Sequence, residues 1–232
     1  MASAPRQLTV VGDSGVYGWG DRDGGGWCER LRRSWMQTPD APVVYSLGVR
    51  GDGLENVSKR WEQEWGCRGE LRRQVPAGLV LAVGLNDTAR VGRLDGRPQL
   101  SVDAYRFGAE QLIRAMQLCT KVMVVGLTAV DEQSMPFAEC LWYDNASIAI
   151  YEALLEEACL DADVPFLPLH QAMQQQPGWL GWVEPDGIHL NAGGHHWIHQ
   201  RLMQWPALLD WAGLEAQPQR TPRCNGERNQ PS

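Results

Sequence analysis

Five short runs of apolar, often β-branched residues recur along the chain, and longer amphipathic stretches separate them. The runs cover residues 8–11, 43–47, 79–83, 122–126 and 164–167. Apolar runs of this length are typical of strands buried on both faces of a sheet. We therefore predict a strand at each of the five positions.

Between these runs, apolar residues repeat every three or four positions, as they do along one face of a helix. Trp27, Leu31 and Trp35 are spaced in this way. Similar spacing predicts further helices at residues 54–65, 107–119, 148–162 and 194–205. Asn145 lies just before the fourth of these segments and is its predicted N-cap.

Strands that alternate with helices indicate right-handed crossovers and a parallel sheet. We therefore predict the α/β class, with a five-stranded parallel sheet between two layers of helices in a doubly wound, three-layer α/β/α arrangement. Residues 1–213 are interpreted as one domain because no internal repeat or second core is evident. Residues 214–232 are polar and rich in proline, and they are predicted to form a disordered tail.

Polar and glycine residues follow the predicted strands directly. Ser14 follows the first, Gly48 the second and Asn86 the third, whereas Asp186 and His189 lie in a loop before the last helix. Ligand sites of doubly wound proteins lie beyond the carboxyl ends of the strands. These five residues are therefore the candidates for chemistry.

Each candidate also has a structural interpretation. Ser14 is a nucleophile or a capping residue, and the Asp186–His189 pair is a catalytic base with its partner or a simple turn. Asn86 donates an N–H to an oxyanion or stabilises its own turn, and Gly48 turns the chain with or without directing its N–H at a substrate. Taken singly, none of these residues identifies a function.

Their order along the chain resembles that of the SGNH hydrolase superfamily, the GDSL esterases and lipases. The four blocks are Gly12-Asp13-Ser14, Gly48, Gly84-Leu85-Asn86-Asp87 and Asp186-Gly187-Ile188-His189, and the resemblance extends from Leu8 to about Trp205. Two positions depart from the family pattern: Gly15 replaces a leucine and Ser46 replaces an asparagine. The Gly-x-Ser-x-Gly elbow of classical lipases is absent, because Val16 occupies the position of its last glycine.

The resemblance implies a flavodoxin-like fold and a hydrolase of carboxylic esters, or of thioesters, that forms an acyl-enzyme. It assigns the nucleophile to Ser14, the base to His189 and the orienting carboxylate to Asp186. It assigns the oxyanion hole to the N–H groups of Ser14 and Gly48 and to the Asn86 side chain. It implies a small-molecule ester as substrate and requires no cofactor and no metal.

Several tryptophans fall in predicted loops beside these blocks. Trp19, Trp142 and Trp182 are predicted to form walls of the substrate pocket, with Trp179 as a further candidate; loop packing is the alternative. The connection over residues 129–143 is long, and long connections at this end of a sheet often act as lids.

The remaining histidines and two arginines are further candidates for the site. His195 and His199 have the i, i+4 spacing of metal ligands, but no third ligand accompanies them, so a structural helix face that includes His196 is the preferred interpretation. His170 is predicted to be a hydrogen-bonded core residue. Arg50 and Arg90 either meet an anionic substrate or point into solvent.

Composition further narrows the kinds of partner and the cellular location that we expect for this protein. The chain has 21 Lys and Arg against 28 Asp and Glu, a formal net charge of −7, which argues against nucleic acid as a partner. No run approaches the roughly 20 apolar residues of a membrane span. We see no secretory signal, and we expect a cytoplasmic protein with reduced cysteines and no stable membrane insertion.

Other functions on the same architecture remain open. A flavin- or nucleotide-binding domain would use the glycine-rich residues 15–20 as its phosphate loop, although their spacing departs from Gly-x-Gly-x-x-Gly. An acyltransferase would use the same catalytic residues with an acceptor other than water. A catalytically inactive interaction module is the third alternative. The sequence specifies neither the acyl group nor the oligomeric state.

Overall fold

The computed structural model describes residues 5–69 and 74–215. The strands are β1 (Gln7–Gly12), β2 (Val43–Gly48), β3 (Gly78–Ala82), β4 (Arg90–Val91), β5 (Lys121–Val125), β6 (Leu141–Trp142) and β7 (Phe166–Leu167). The helices are α1 (Ser14–Tyr17), α2 (Gly26–Met36), α3 (Leu54–Gly66), α4 (Leu85–Thr88), α5 (Val102–Gln117), α6 (Asn145–Asp161), α7 (His170–Gln174), α8 (Ala192–Leu202) and α9 (Pro206–Ala212). Short 3-10 turns cover Glu132–Ser134 and Trp179–Trp182.

Five of these strands form one parallel sheet in the order β2-β1-β3-β5-β7. Counted along the chain, this is the 2-1-3-4-5 order of flavodoxin-like doubly wound folds. The predicted fold class is confirmed. The fifth strand is shorter than predicted, because the backbone N–H of Val164 donates to Cys159 O and closes the end of α6.

Helices cover both faces of the sheet, and each face has its own apolar core. One core joins the sheet to α3, α5 and α6, and the other joins it to α2, α8 and α9. All six residues of β1 are buried, which is the pattern expected of a central strand covered on both sides.

Three predicted helix boundaries need correction. The N-cap of α6 is Asp144 rather than Asn145, because the Asp144 carboxylate accepts the Ser147 N–H at 2.6 Å. Helix α5 ends at Gln117, before Cys119, and Phe107 faces away from the core with 66% of its surface exposed. The last predicted helix, residues 194–205, is α8 at Ala192–Leu202, and a further helix that was not predicted starts at Pro206 with Trp205 as its N-cap.

Near the site, the ends of three adjacent strands lie level. Gly12 pairs with Gly48 of β2 on one side and with Ala82 of β3 on the other. A Cβ atom on Gly12 would overlap the Ala82 carbonyl and the Val16 side chain, and one on Gly48 would overlap the Tyr17 backbone nitrogen. The absence of a side chain lets these backbones approach one another closely.

The predicted tail falls mostly outside the described residues, since only Leu214 and Glu215 of it are included. The assignment of residues 1–213 to one domain stays a prediction. Among the helices within residues 5–69 and 74–215, none has both the length and the apolar character needed to cross a membrane.

Alanine substitutions at two glycines test the packing at the strand ends. Gly12→Ala should lower the free energy of unfolding by about 3 kcal/mol or more, because the new methyl group meets backbone that cannot move aside. Gly66→Ala is the matched control: it lies in α3 with open space around it and should raise stability by about 0.4–1 kcal/mol. Urea unfolding followed by circular dichroism measures both. Equal effects of the two substitutions would contradict the packing argument.

Candidate active site

Ser14 is placed by the turn between β1 and α1. β1 ends at Gly12, and Asp13 caps the next helix by accepting the Gly15 N–H at 2.8 Å. Ser14 is therefore the first residue of α1, directly beyond the carboxyl end of the central strand. The strand end fixes the serine backbone at the position where ligands of this fold class bind.

Ser14, His189 and Asp186 form a continuous hydrogen-bonded chain. His189 Nε2 lies 3.1 Å from Ser14 Oγ, and His189 Nδ1 lies 2.6 Å from Asp186 Oδ2. Because the carboxylate accepts a hydrogen bond from Nδ1–H, the proton stays on Nδ1 and the Nε2 lone pair faces the serine hydroxyl. The structure thus brings together three side chains that are separated by up to 175 positions in sequence.

The turn that carries the imidazole also fixes Asp186. Its Oδ1 accepts the backbone N–H groups of Ile188 at 3.1 Å and His189 at 3.0 Å. Partial burial acts to raise the pKa of Asp186, but the hydrogen bonds from the His189 side chain and from these two backbone groups outweigh it and lower the pKa to about 2. The carboxylate is therefore ionised whenever the imidazole can act as a base.

Asn86 is oriented by two neighbours. Its Nδ2 donates to Asp52 O at 2.9 Å, and its Oδ1 accepts the Tyr143 hydroxyl at 3.3 Å. A primary amide has two N–H donors, so one remains for a ligand. Asn86 lines the same cavity as Ser14. Gly48 lies against the turn from Asp13 to Tyr17 and is not among the residues that line this cavity.

The cavity beside Ser14 is small and partly open, with a volume of about 60 Å³. Its polar lining includes Asp13, Ser14, Asn86 and His189. The remaining wall is mainly apolar and comes from the ends of β3 and β5 and from α8. These apolar side chains include Val83, Val125, Leu127, Leu169, Ile188 and Ile198.

Two aromatic rings flank the imidazole of His189, which is only 7% exposed. The Trp19 ring lies edge-on at 6.2 Å between centroids, and the Phe137 ring lies edge-on at 5.8 Å. The Arg50 guanidinium stacks on Trp19, with its Cζ 3.4 Å from the centroid of the ring. Phe137 belongs to the long connection over residues 129–143, so that connection reaches the imidazole of His189.

Of the three tryptophans predicted to wall the pocket, only Trp19 lines it. Trp182 instead stacks on Trp197 of α8 at 5.5 Å, and Trp142 lies in β6, which pairs with β4. Loop position alone does not distinguish a pocket wall from loop packing. The predicted role of Trp142 and Trp182 is therefore corrected to a structural one. Trp179 is likewise absent from the lining and packs against the core beneath α8.

His195 and His199, outside the hydrogen-bonded chain of Ser14, His189 and Asp186, are bound to the protein itself. His195 Nδ1 accepts the Trp27 N–H at 3.2 Å, and its Nε2 donates to Trp19 O at 3.1 Å, so it has no lone pair for a metal. His199 pairs through Nε2 with Ser34 Oγ at 3.0 Å. No group of three or more potential metal ligands occurs among the residues that the structure describes.

His170 and Arg90 also have structural partners. The buried His170 donates from Nε2 to Asn145 Oδ1 at 3.1 Å, as expected of a core histidine. Arg90 contacts Ser147 Oγ at 3.2 Å and Asp144 at 3.5 Å, and so it is bound to the start of α6 rather than free for a substrate.

Of the two departures from the family pattern, Gly15 lies in α1 and Ser46 lies in β2 beside it. Gly15 gives its N–H to Asp13, and Ser46 donates its hydroxyl to Val16 O at 3.0 Å. Ser46 therefore ties β2 to the helix that begins with Ser14. Neither substitution removes a group from the hydrogen-bonded chain of Ser14, His189 and Asp186.

Two further carboxyl groups belong to the site, Asp13 in the cavity lining and the buried Asp87 beside it, and the sequence patterns did not predict their role. Burial raises the pKa of Asp13 to about 6 and that of Asp87 to about 7. Both oxygens of Asp87 accept the Leu54 N–H, at 2.9 and 3.2 Å, and so provide the cap that Gly53 cannot give to α3. In the sequence, the one sign that Asp87 belongs to the site is that it directly follows Asn86.

The family of this chain follows from comparison with known proteins. The model of the GDSL-like lipase/acylhydrolase family matches residues 10–197. The chain belongs to this family, and the protein is an ester-hydrolysing enzyme. No curated protein matches the chain by sequence.

Solved structures agree with the fold. A lipase/acylhydrolase from Enterococcus faecalis is 20% identical, with a TM-score of 0.68 over 92% of this chain and 100% of that one. The psychrotrophic esterase EstA from Pseudoalteromonas sp. is 13% identical, with a TM-score of 0.64 over 86% of this chain and 96% of that one. The acetyl xylan esterase AlAXEase is 17% identical, with a TM-score of 0.65 over 87% of this chain and 99% of that one. At these identities the likeness establishes the shared fold.

The raised pKa of Asp87 predicts a pH-dependent stability. Its carboxyl group has a pKa of about 7 in the folded protein, against an ordinary value of 3.8 for an aspartate in an unfolded chain. The folded state therefore binds the proton more tightly, and the protein loses stability as the pH rises from about 4 to 7. Asp87→Asn should remove the part of this slope that Asp87 contributes, so that the melting temperature of the variant gains on that of the wild type as the pH rises, while Asp13 keeps its own contribution. Thermal unfolding from pH 4 to 8 measures the difference.

Asp103→Asn is the matched control for this experiment, because Asp103 is exposed in the first turn of α5. The difference between its melting temperature and that of the wild type should stay constant over the same pH range. Parallel curves for Asp87→Asn as well would show that burial of Asp87 does not shift its ionisation.

Proposed function

We propose that this enzyme cleaves carboxylic esters of small molecules through a covalent acyl-enzyme, with Ser14 as nucleophile. The observation that carries the proposal is the hydrogen-bonded chain from Asp186 through His189 to Ser14, which ends at the wall of an apolar cavity. A hydroxyl that faces the free nitrogen of a carboxylate-bound imidazole is the arrangement required to activate a serine.

In the first step, Ser14 Oγ attacks the ester carbonyl carbon and His189 Nε2 takes the hydroxyl proton. Asp186 Oδ2, 2.6 Å from Nδ1, stabilises the imidazolium that forms. The tetrahedral intermediate then collapses as its C–O bond to the alcohol breaks, and His189 returns the proton to the leaving oxygen. In the second step His189 activates water, which attacks the acyl group and frees Ser14.

The negative oxygen of each tetrahedral intermediate requires hydrogen-bond donors. We assign this role to the free N–H of Asn86 together with the backbone N–H groups of Ser14 and Gly48. Asn86 is held for it by Asp52 O and by the Tyr143 hydroxyl. Loss of one such donor typically lowers turnover by about 10²–10³-fold.

The lining of the cavity favours a substrate whose acyl group is uncharged and apolar. Its wall beyond the catalytic residues is built mainly from valine, leucine and isoleucine side chains. A thioester presents the same carbonyl and is included in the proposal. Acyl transfer to an acceptor other than water would use the same first step, and the assignment of the chain to a family of lipases and acylhydrolases favours water.

A phosphate-binding function for residues 15–20 is less well supported. The backbone N–H of Gly15 is already bound to the Asp13 carboxylate. The N–H groups of Gly24 and Gly26, farther along the same turn, are bound to the Asp21 carboxylate. Carboxylates therefore occupy donors that a phosphate would need, and they would repel it.

Hydrolysis of p-nitrophenyl esters from acetyl to palmitoyl tests the proposed function. Ser14→Ala and His189→Ala should each lower kcat by about 10⁴-fold or more, and Asp186→Asn by a similar factor because it favours the wrong imidazole tautomer. Ser58→Ala, on the exposed side of α3, is the control and should retain wild-type turnover.

A fluorophosphonate probe gives a second measurement that does not depend on the choice of ester. It should label the wild type at Ser14 and leave Ser14→Ala unlabelled. Normal ester hydrolysis by folded Ser14→Ala would disprove the assignment of the nucleophile, whereas labelling without hydrolysis of any ester would redirect the proposal to acyl transfer.

A further inference from the structure

Arg60 projects from α3 to the ends of β1 and β2. Its guanidinium donates to Gly12 O at 2.8 Å and to Leu47 O at 3.0 Å. It also donates to the Asp52 carboxylate at 2.7 Å and to Glu64 at 2.8 Å. The Arg60 side chain is 17% exposed, and its partner Asp52 is 10% exposed, so these contacts are largely shielded from solvent.

Three of these four partners are tied to a proposed oxyanion donor: two lie just before a donor in the sequence, and the third holds a donor by a hydrogen bond. Gly12 lies two residues before Ser14, and Leu47 directly precedes Gly48. Asp52 supplies the carbonyl that holds the Asn86 amide at 2.9 Å. A single guanidinium therefore joins the turn after β1, the turn after β2 and the anchor of the side chain that follows β3.

The chemistry of arginine suits this position. A guanidinium is planar and has five N–H donors in a fixed geometry, so it can bind several acceptors that diverge from one point. A lysine ammonium is a compact charge on a flexible chain and does not reproduce that geometry. Gly12 O also accepts the Val49 N–H at 3.0 Å, which links the same two turns a second time.

We propose that Arg60 is a positioning residue that sets the relative placement of the three oxyanion donors. This inference rests on the proposed function. Arg60 is not among the residues that line the cavity, so it acts through Gly12, Leu47 and Asp52 rather than by touching the substrate. The negative oxygen forms only in the tetrahedral states, so misplaced donors should lower kcat much more than they raise KM.

The experiment compares Arg60→Lys and Arg60→Ala with the wild type on the ester that the wild type hydrolyses fastest. We expect kcat to fall by about 10–10²-fold, less than the loss of about 10²–10³-fold for a missing donor because the donors are displaced and not removed, while KM changes by less than about threefold. Lys59→Met is the matched control: Lys59 is the neighbour on α3, it is exposed, and its removal should leave kcat unchanged.

Guanidinium ion supplies a readout that a general loss of stability would not move. Added to Arg60→Ala at millimolar concentration, it should restore kcat severalfold, whereas urea or sodium chloride at the same concentration should not. It should not restore Asn86→Ala, in which the donor itself is missing. The folded fraction of each variant is measured by circular dichroism at the assay temperature.

Two results would overturn the inference. One is wild-type kcat in folded Arg60→Lys, and the other is a loss of kcat that only follows the unfolded fraction. If Arg60→Ala fails to fold, Asp52→Asn replaces it, because it removes one partner of the guanidinium and should lower kcat in the same direction. Wild-type activity that depends on Ser14 is established first. Its absence refutes the proposed function, whereas its presence beside a normal Arg60→Lys refutes only the role of Arg60.

Discussion

The level register of β2, β1 and β3 is the constraint on which the site depends. Because Gly12 pairs with Gly48 and with Ala82, the three chains leave the sheet at the same height. The groups that follow them, at Ser14 and Asn86, therefore meet around one cavity although their positions in sequence are far apart. The register requires small residues at the strand ends, and Gly12 and Gly48 both lie too close to neighbouring backbone to carry a side chain.

Four carboxyl groups lie in or below this site in a chain of net charge −7, and the fold deals with their charge in different ways. Asp186 keeps its charge because His189 and two backbone N–H groups bind it. Asp52 pairs with Arg60 at 2.7 Å. Asp13 and Asp87 have pKa values raised to about 6 and 7, so burial favours their neutral forms. Asp186 is therefore the carboxylate whose ionised form is stabilised directly by the side chain that the proposed mechanism uses as base.

The sequence predicted those parts of the structure that depend on local patterns. Apolar runs located all five strands of the main sheet, and the alternation of strands with helices indicated its parallel topology. The order of Ser14, Asn86, Asp186 and His189 predicted which side chains the structure brings together. No local sequence pattern predicted the contacts that depend on how helices, strands and loops pack against one another. Three contacts are of this kind and become visible only in the folded structure. They are the hydrogen bonds from Arg60 to two strand ends, the contact of Phe137 with His189 and the stacking of Trp182 on Trp197.

Helix α8 links the loop that carries His189 to the wall of the cavity. It begins just after His189, with Asn191 as its N-cap, and so its position determines where the loop that carries the imidazole ends. One turn into the helix, His195 binds the backbone of Trp19 and of Trp27. Burial lowers the pKa of His195, which keeps the ring neutral and able both to accept and to donate. The helix that follows His189 therefore also holds the Trp19 segment, through His195. Helix α8 thus fixes the position of Trp19 in the cavity wall relative to that of His189.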